Sequence, residues 1–451
     1  MRIDAQFYVE IFNFKNFVKL GDYVKVKGGK RIPKGLSYSS EETDSLYLRV
    51  DDIDRFGEIN FQSMRYISDE IFDILKNYKL NENEVIISNA GTIGKIALLD
   101  QELTKKIILT ENCAKLQITN KELLPRFLKI VLLLPIVQKQ MTLAYIQTTI
   151  PKLALERIYN LRIPKLHSQE MQKKIIDFFE ISYISKKQKE AEAAALLASI
   201  DGYLLQELGI TLPPPSEKKT YFLTRSNQVS GGRFDPYYHQ SEFEELELAL
   251  EKGKYGIKSF KKLAKKITSG TTPTSGGDDY TSRDLGIPFI RSGEINEFDE
   301  IDFDDVIYIK SSVHNKTLKS SQLKKNDLMI AIVGATIGQV GVFKYEFEAN
   351  INQAIALIRF DNSVNVEYIK SFLKTTIGQK VLDKLKRPVA RANINLEEIS
   401  SIKIPLPPPE KQTEIANHIS ALRTQAKQLQ QQAAAELAHA KQHVEHLILG
   451  E

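Results

Sequence analysis

Two short stretches come close to sequences that do chemistry, and neither meets the requirements of that chemistry. Gly91-Thr92-Ile93-Gly94-Lys95 has the glycines and lysine of a loop that cradles phosphate oxygens. Such a loop needs four residues between its glycines and a Ser or Thr after the lysine. Here two intervene and Ile96 follows, so the stretch reads as a tight strand-to-strand turn. Asp235-Pro236-Tyr237-Tyr238 lacks the second proline of the Asp-Pro-Pro-Tyr tetrad of adenine methyltransferases, and no glycine-rich cofactor loop follows a strand. His439, His443 and His446 have helical spacing and read as a solvated flank beside Ala440, Val444 and Leu447 rather than as metal ligands. Cys113 has no histidine nearby in sequence, and its bland reading is a small buried hydrophobe. The chain therefore reads as non-catalytic.

What remains suits recognition of an anion. Arg49 and Arg291 stand at matched strand positions, and an arginine fork fits a guanine edge or a phosphate. A buried salt bridge is the rival reading for both. Basic residues cluster as Lys25, Lys27, Lys30, Arg31 and Lys34, as Lys258, Lys261, Lys262, Lys265 and Lys266, and as Lys384, Lys386, Arg387 and Arg391. Lysines of this kind would contact phosphates and fix register without reading sequence. Asn89, Thr92, Lys95, Thr336, Gln339, Arg391 and Asn393 are candidates for base contact, with ordinary turn or surface positions as the alternative. Thr271, Thr272 and Ser292 complete the candidate DNA-binding set.

The elements that must position these residues are dominated by two helices. Ile415, Ile419, Leu422, Ala426, Leu429, Ala433, Leu437, Ala440, Val444 and Leu447 recur at intervals of four or three, a helical seam. The extra interval of four around Ala433 is a stutter, at which the seam should unwind locally. Pro407, Pro408 and Pro409 precede it, and Glu410 faces the positive end of the helix dipole. An earlier stretch, 169–208, has Ser168 as N-cap, a stripe of Ala193, Leu197, Ile200, Leu204 and Leu208, and Gly209 as C-terminal cap. At 1.5 Å per residue each would be roughly 60 Å long, so the two are expected to pair antiparallel.

The rest of the chain repeats. Arg2-Ile3-Asp4 is echoed by Arg233-Phe234-Asp235 at an offset of 231 residues. Tyr47-Leu48-Arg49 is echoed by Phe289-Ile290-Arg291 at 242, and Gly91-Thr92-Ile93-Gly94 by Ala335-Thr336-Ile337-Gly338 at 244. The segment ending at Gly28-Gly29-Lys30 corresponds to that ending at Ser269-Gly270-Thr271. The chain thus reads as a tandem duplication in which each half is a mixed domain followed by a long helix. Residues 212–227 read as a proline-rich connector and 269–284 as an exposed loop without a core; the first half offers 31–43 instead.

Composition sets wider bounds. A chain of 451 residues that is 42% apolar accommodates two or three globular domains. One cysteine excludes an internal disulfide framework and fits a reducing compartment, and no secretory signal or membrane-length apolar run is evident. The formal net charge of +5 is small for this length, so distribution matters more than the total.

The Gly270-Thr271-Thr272-Pro273 loop, the 287–295 stretch, the 334–338 turn and the 404–412 entry into the last helix together resemble the specificity subunit of Type I restriction-modification systems. The first half departs from the pattern, with Leu166-His167-Ser168 in place of the proline-rich entry and Asn89-Ala90-Gly91 in place of the Gly-Ala pair. The resemblance implies an α+β chain of two tandem target-recognition domains with mixed β-sheets, separated by a long antiparallel helical coiled-coil pair. The expected division is a first domain over 1–166, a spacer helix over 167–210, a linker over 211–232, a second domain over 233–406 and a second spacer helix over 407–451. It implies a cytoplasmic, non-enzymatic subunit that reads a bipartite double-stranded DNA target. Two methyltransferase subunits would bring S-adenosylmethionine, and restriction or translocase subunits would bring ATP and Mg. Other readings are the DNA-recognition part of a related nuclease-methyltransferase, or a structural coiled-coil protein.

Overall fold

The computed structural model describes residues 16–54, 57–100, 105–144, 151–214, 233–274, 277–296, 301–387 and 392–449. The echo at residues 2–8, most of the 212–227 connector and Arg391 lie outside these described residues. The chain forms two compact units, one of Met1–Glu190 with Gln430–Glu451, the other of Ala191–Leu429.

In the first unit β1 (Phe17–Lys19) pairs antiparallel with β9 (Arg162–Pro164). Strands β2 (Val24–Gly28), β5 (Val85–Ser88), β6 (Ile96–Leu98) and β8 (Cys113–Ile118) make an antiparallel sheet in the order β2-β8-β5-β6. Strands β3 (Ser45–Leu48), β4 (Arg65–Tyr66) and β7 (Lys106–Leu109) make a second, mixed sheet in the order β4-β3-β7, with β3 and β7 parallel. Side chains alternate across a strand, so a run apolar on both faces must be covered twice. Val85, Ile87 and Leu116 pack on α2 (Pro125–Leu133) and α3 (Pro135–Ala144), whereas Ile86, Ala97 and Cys113 pack with Leu46, Leu48, Ile107 and Leu109 of the second sheet. The short helices α1 (Asp69–Leu75) and α4 (Leu155–Tyr159) flank these sheets.

The second unit repeats the plan. Strands β10 (Ile257–Ser259) and β19 (Lys403–Pro405) pair; β11 (Ala264–Ser269), β15 (Asp327–Ala331), β16 (Val340–Phe343) and β18 (Ile355–Phe360) form a sheet in the order β11-β18-β15-β16. Strands β13 (Ile287–Ile290), β14 (Ile307–Ile309) and β17 (Asn350–Ile351) match β3, β4 and β7, with β13 and β17 parallel. One strand is new. The 269–284 stretch, expected as a loop without a core, contributes β12 (Tyr280–Thr281), paired with β14. Tyr280 packs against the cluster around Phe289 and Ile309, and its hydroxyl donates to Pro273 O at 3.0 Å.

Helices α6 (Ser241–Glu251), α7 (Phe260–Leu263), α9 (Val366–Leu373), α10 (Thr376–Leu385) and α11 (Leu396–Ser401) add to this unit's core, and α8 (Ser311–Asn315) packs on the smaller sheet. The turns match less simply than the sequence suggests. The left-handed glycines of these two turns are Gly91 and Gly94 in one unit and Gly334 and Gly338 in the other. Gly91 N donates to Pro151 O and Gly334 N to Ala392 O, so Gly91 corresponds to Gly334 rather than to Ala335, and the second turn is one residue longer.

Two helices, α5 (Gln169–Leu208) and α12 (Pro409–Leu449), run unbroken and each contributes to both units. Ser168 Oγ accepts from Met171 N, and Gly209, at φ +61°, ends α5 with Ile210 N donating to Leu205 O and Gly209 N to Gln206 O. Within the first unit the helices run antiparallel: Ser185 meets Glu436, Phe178 meets His443 and His167 meets Ile448. Within the second, Tyr203 stacks on His418 and Lys411 pairs with Glu207 at 2.6 Å. The stripes hold with two exceptions. Leu447 and Leu197 are exposed, and Ile448, one four-residue step beyond Val444, takes the buried place.

Each unit depends on one close approach. Gly29 and Gly270, 241 residues apart, follow β2 and β11, and a Cβ there would stand 2.0 Å from Thr110 O and 1.8 Å from Ile351 O. Backbone atoms cannot swing aside, so Gly29→Ala and Gly270→Ala are expected to destabilise the unit that carries them by about 3 kcal/mol. Gly202→Ala, in open space inside α5, should stabilise by about 0.5–1 kcal/mol. Urea denaturation checks both; wild-type stability in the first two would remove the steric argument. Cys113 is fully buried on β8, and burial pushes its thiol up to about 12. A thiol reagent at pH 8 should leave it unmodified in the native protein and label it only after unfolding, read by mass spectrometry.

Candidate nucleic-acid interface

In the first unit three connections meet at one sheet edge: the β2–β3 loop, the β5–β6 turn and the β7–β8 turn. They line a cleft of about 650 Å³ whose polar rim includes Arg31, Ser37, Tyr38, Thr92 and Asn112. The edge is ordered by backbone bonds. Lys30 N donates to Leu109 O, while Asn89 N and Ala90 N both donate to Asn112 O. Tyr47, on the cleft wall, donates to Lys30 O at 2.8 Å, and burial pushes its phenol up to about 12. Arg31 Nε donates to Glu111 Oε1 at 2.5 Å. Burial alone would raise that carboxyl, but hydrogen bonds from Arg31 and Thr110 hold it below its usual range. Arg31 is otherwise open, its side chain 80% exposed.

Of the residues singled out by sequence, the cleft gathers Arg31, Arg49 and Thr92. Lys25 and Lys27 project from the exposed side of β2, and Lys30 is exposed beside Arg31. In the second unit Lys265 is exposed at a bulge in β11, and Lys266 lies opposite Arg359, so burial first and then that like charge draw its ammonium down. Thr271 and Thr272 are exposed where the chain leaves Gly270. Thr336 and Gln339 line a pocket of about 230 Å³ with Asn296 and Lys374. Asn393 bridges Val333 and Arg387 through its backbone, and Ser292 is half-buried in a 3-10 turn.

Several of the candidates already have partners within their own unit. Arg49 donates through Nη2 to Asp52 Oδ1 at 2.8 Å, through Nε to Oδ2 at 3.1 Å, and through Nη2 to Ser63 O at 3.1 Å. Arg291 donates through Nε to Glu294 Oε1 at 2.5 Å and through Nη2 to Asp305 O at 3.0 Å. Both forks close a 3-10 turn over a buried carboxylate, which is the geometry of the rival salt-bridge reading, although the Arg291 side chain stays 44% exposed. Lys95 Nζ donates to Val50 O at 3.0 Å and Ile53 O at 2.5 Å, which ties the β5–β6 turn to that same 3-10 turn. Asn89 is buried against Leu153 O, and Arg387 Nε pairs with Glu398 at 3.1 Å, a carboxylate shared with Arg233. These groups serve the scaffold. Burial pushes the Glu294 carboxyl up against its Arg291 bonds.

Sequence reading also missed residues that organise the edge. Tyr38 and Asn112 line the cleft, and Gln138 and Gln379 hold the glycine turns from behind. The signal for the glutamines was present: Ile136-Val137-Gln138-Lys139 recurs as Ile377-Gly378-Gln379-Lys380 at an offset of 241. Gln172 and Gln412, both buried, each anchor the start of a long helix, accepting from Leu124 N and Asn365 N respectively. His443 rests on Phe178 and stacks with His439 along a helix flank.

Two like α+β units with differing loops at the same sheet edge, together with two long helices that serve both, define a duplicated binding scaffold. The family model described as the Type I restriction modification DNA specificity domain matches residues 14–194 and again 254–439, and the chain belongs to this family. It is 31% identical over 163 residues to the Type I restriction enzyme EcoBI specificity subunit of Escherichia coli, a match covering 36% of this chain and 33% of that protein. It is 24% identical over 189 residues to a putative Type I restriction enzyme MjaX specificity subunit of Methanocaldococcus jannaschii, covering 41% and 43%. The matches thus span well under two thirds of these curated relatives. A structure described as the basis of complex assembly and conformational transition of the type I R-M system superposes with TM-score 0.52 at 16% identity, covering 96% of both chains. The chain has the fold of that structure. A crystal structure of an S subunit from M. genitalium gives TM-score 0.47 at 14% identity, covering 98% of both. The family resemblance read from sequence is borne out. No helix among the described residues is long and apolar enough to cross a membrane.

The arginine geometry makes a separable prediction. Arg49→Gln leaves Asp52, 1% exposed, without its fork and should cost about 3 kcal/mol of stability. Arg31→Gln, at an open side chain, should shift stability by less than about 0.5 kcal/mol. Denaturation of both variants decides it; the reverse order would show that the Arg49 fork does not support Asp52.

Proposed function

We propose that each unit reads one half of a split double-stranded DNA target through the edge where the β2–β3 and β11–β12 loops, the glycine turns and the β7–β8 and β17–β18 turns converge. The observation that carries this is the combination of one scaffold with two different loops. Strand order repeats between the units and register does too apart from the bulge in β11, whereas 30–44 and 271–286 differ in length, composition and the extent of their pairing with β4 or β14. A fixed frame with interchangeable edges suits two readings by one mechanism. Arg31, Thr92, Thr271, Thr272 and Thr336 are the proposed base-side contacts. Lys25, Lys27, Lys30, Lys265 and Lys266 are the proposed phosphate contacts. Ser292, Gln339 and Asn393 stand beside these groups, and Arg391 is proposed from sequence alone.

The two long helices are proposed to seat two methyltransferase subunits, which bring S-adenosylmethionine, and their length to set the number of unread base pairs. Restriction subunits carrying ATP and Mg complete the proposed assembly, in the cytoplasm. Co-expression with a methyltransferase subunit, followed by mapping of modified adenines in genomic DNA, tests this. The expected result is a single motif of two short specified blocks separated by a fixed unspecified gap; a continuous motif would oppose it. Binding of the complex to DNA should also weaken steeply with salt, because phosphate contacts release counterions.

A further inference from the structure

The glycine turns do not stand unsupported. Gln138, in the first turn of α3, donates through Nε2 to Gly94 O at 3.0 Å and to Leu132 O at 2.7 Å. Gln379, in the first turn of α10, donates through Nε2 to Gly338 O at 3.1 Å and to Leu373 O at 2.8 Å. Leu132 and Leu373 lie at the C-terminal ends of α2 and α9, where the last carbonyls have no partner within the helix. One primary amide therefore closes a helix end and holds the last glycine of a turn. The backbone at that position favours glycine. Its φ is +86° or +93°, and a Cβ would stand 2.7 Å from Gln138 Oε1 or 3.2 Å from Gln379 Oε1.

The helix bearing each glutamine is itself pinned at its start. Ile136 N donates to Glu445 Oε1 at 3.2 Å, and Thr376 N donates to Asp201 Oδ1 at 3.2 Å and Oδ2 at 3.3 Å. Glu445 and Asp201 stand near the C-terminal ends of α12 and α5, 244 residues apart, so this too is part of the duplication. A carboxylate there satisfies an open N–H and meets the positive end of the helix dipole. From carboxylate to glutamine is at most one helical turn.

We infer that Gln138 and Gln379 are positioning residues for the DNA-reading turns, and that Glu445 and Asp201 join the end of each long helix to one such turn through the first turn of α3 or α10. This rests on the proposal that the turns read DNA. In that setting, whatever docks on the long helices would bear on the geometry of the reading edge.

The test uses the full chain in complex with its methyltransferase subunits. Gln379→Leu should raise methylation of DNA altered in one half-site about tenfold relative to the target, leaving discrimination at the other half-site unchanged. Gln138→Leu should do the converse. Gln379→Lys should behave as wild type, since Lys95 shows that an ammonium can serve two carbonyls. Hydrogen exchange supplies a readout independent of DNA: amides of residues 334–339 should exchange about tenfold faster in both Gln379→Leu and Asp201→Ala. Unchanged exchange would overturn the clamp. Faster exchange with unchanged discrimination, or equal relaxation of both half-sites, would overturn its role in reading. A wild-type complex without a split target would instead remove the DNA reading itself, leaving exchange to judge the clamp.

Discussion

A missing methyl group determines how each unit is built. Where the chain leaves β2 or β11 it passes so close to the carbonyls ending β7 or β17 that only glycine fits, at Gly29 and Gly270. That contact joins the larger sheet to the smaller one and fixes the point at which the following loop departs. The loops that differ most between the units, 30–44 and 271–286, lie beyond it. The loops can therefore change in length and composition while always emerging at the same place, beside the glycine turn and the β7–β8 or β17–β18 turn. Close packing makes such a joint all or nothing, because a carbonyl held by its own strand cannot retreat a few tenths of an ångström without disturbing the ladder.

The scaffold tolerates substitution of side chains as long as their physical role is kept. Glu84, just before β5, takes Lys115 at 3.0 Å and Gln117 at 2.5 Å, while Asp327, the first residue of β15, takes Arg359 through both its oxygens. In each case a buried carboxylate also accepts the backbone N–H three residues earlier, from Asn81 or Lys324. A left-handed asparagine, Asn83 or Asn326, precedes it. Arg49 with Asp52 and Arg291 with Glu294 make the same trade between a shorter and a longer acid. Net charge at these sites is balanced in both units, as burial demands.

Much of this was legible in sequence, and what was not has a physical cause. The long helices announce themselves through period, caps and prolines, because burying one stripe of a long helix leaves a repeating signature. The duplication is legible because turns and close approaches constrain residue type locally. The roles of Arg49, Arg291 and Lys95 were not, since the groups that engage them are a carboxylate three residues on and carbonyls more than forty residues away, and type alone does not separate a solvated cation from a paired one. Leu447 and Ile448 were exchanged because adjacent apolar residues at a helix end satisfy either spacing. The offset of the glycine turn was misplaced by one because an added residue between two left-handed glycines leaves both strands in register.

These features divide the chain into parts that must stay and parts that are free. Cations turned inward are bound to acids or carbonyls and cannot be lent to a ligand without leaving a buried charge, which costs more than a new surface contact returns. Arg31, left outward, is held at Nε by Glu111 and is open elsewhere, so its direction is set while its remaining donors face outward. A side chain oriented in advance loses less freedom on binding than one that must be ordered by its partner. The single difference between Lys95 and Gln339 at equivalent positions carries the same logic into the turns. The first turn is fastened to the 3-10 turn beneath it by an ammonium, whereas the second leaves the side-chain Oε1 of Gln339 buried without a hydrogen bond and relies on the glutamine behind it. The second turn, longer by one residue and less firmly tied below, is the one whose geometry depends most on α10 and on the carboxylate that starts it.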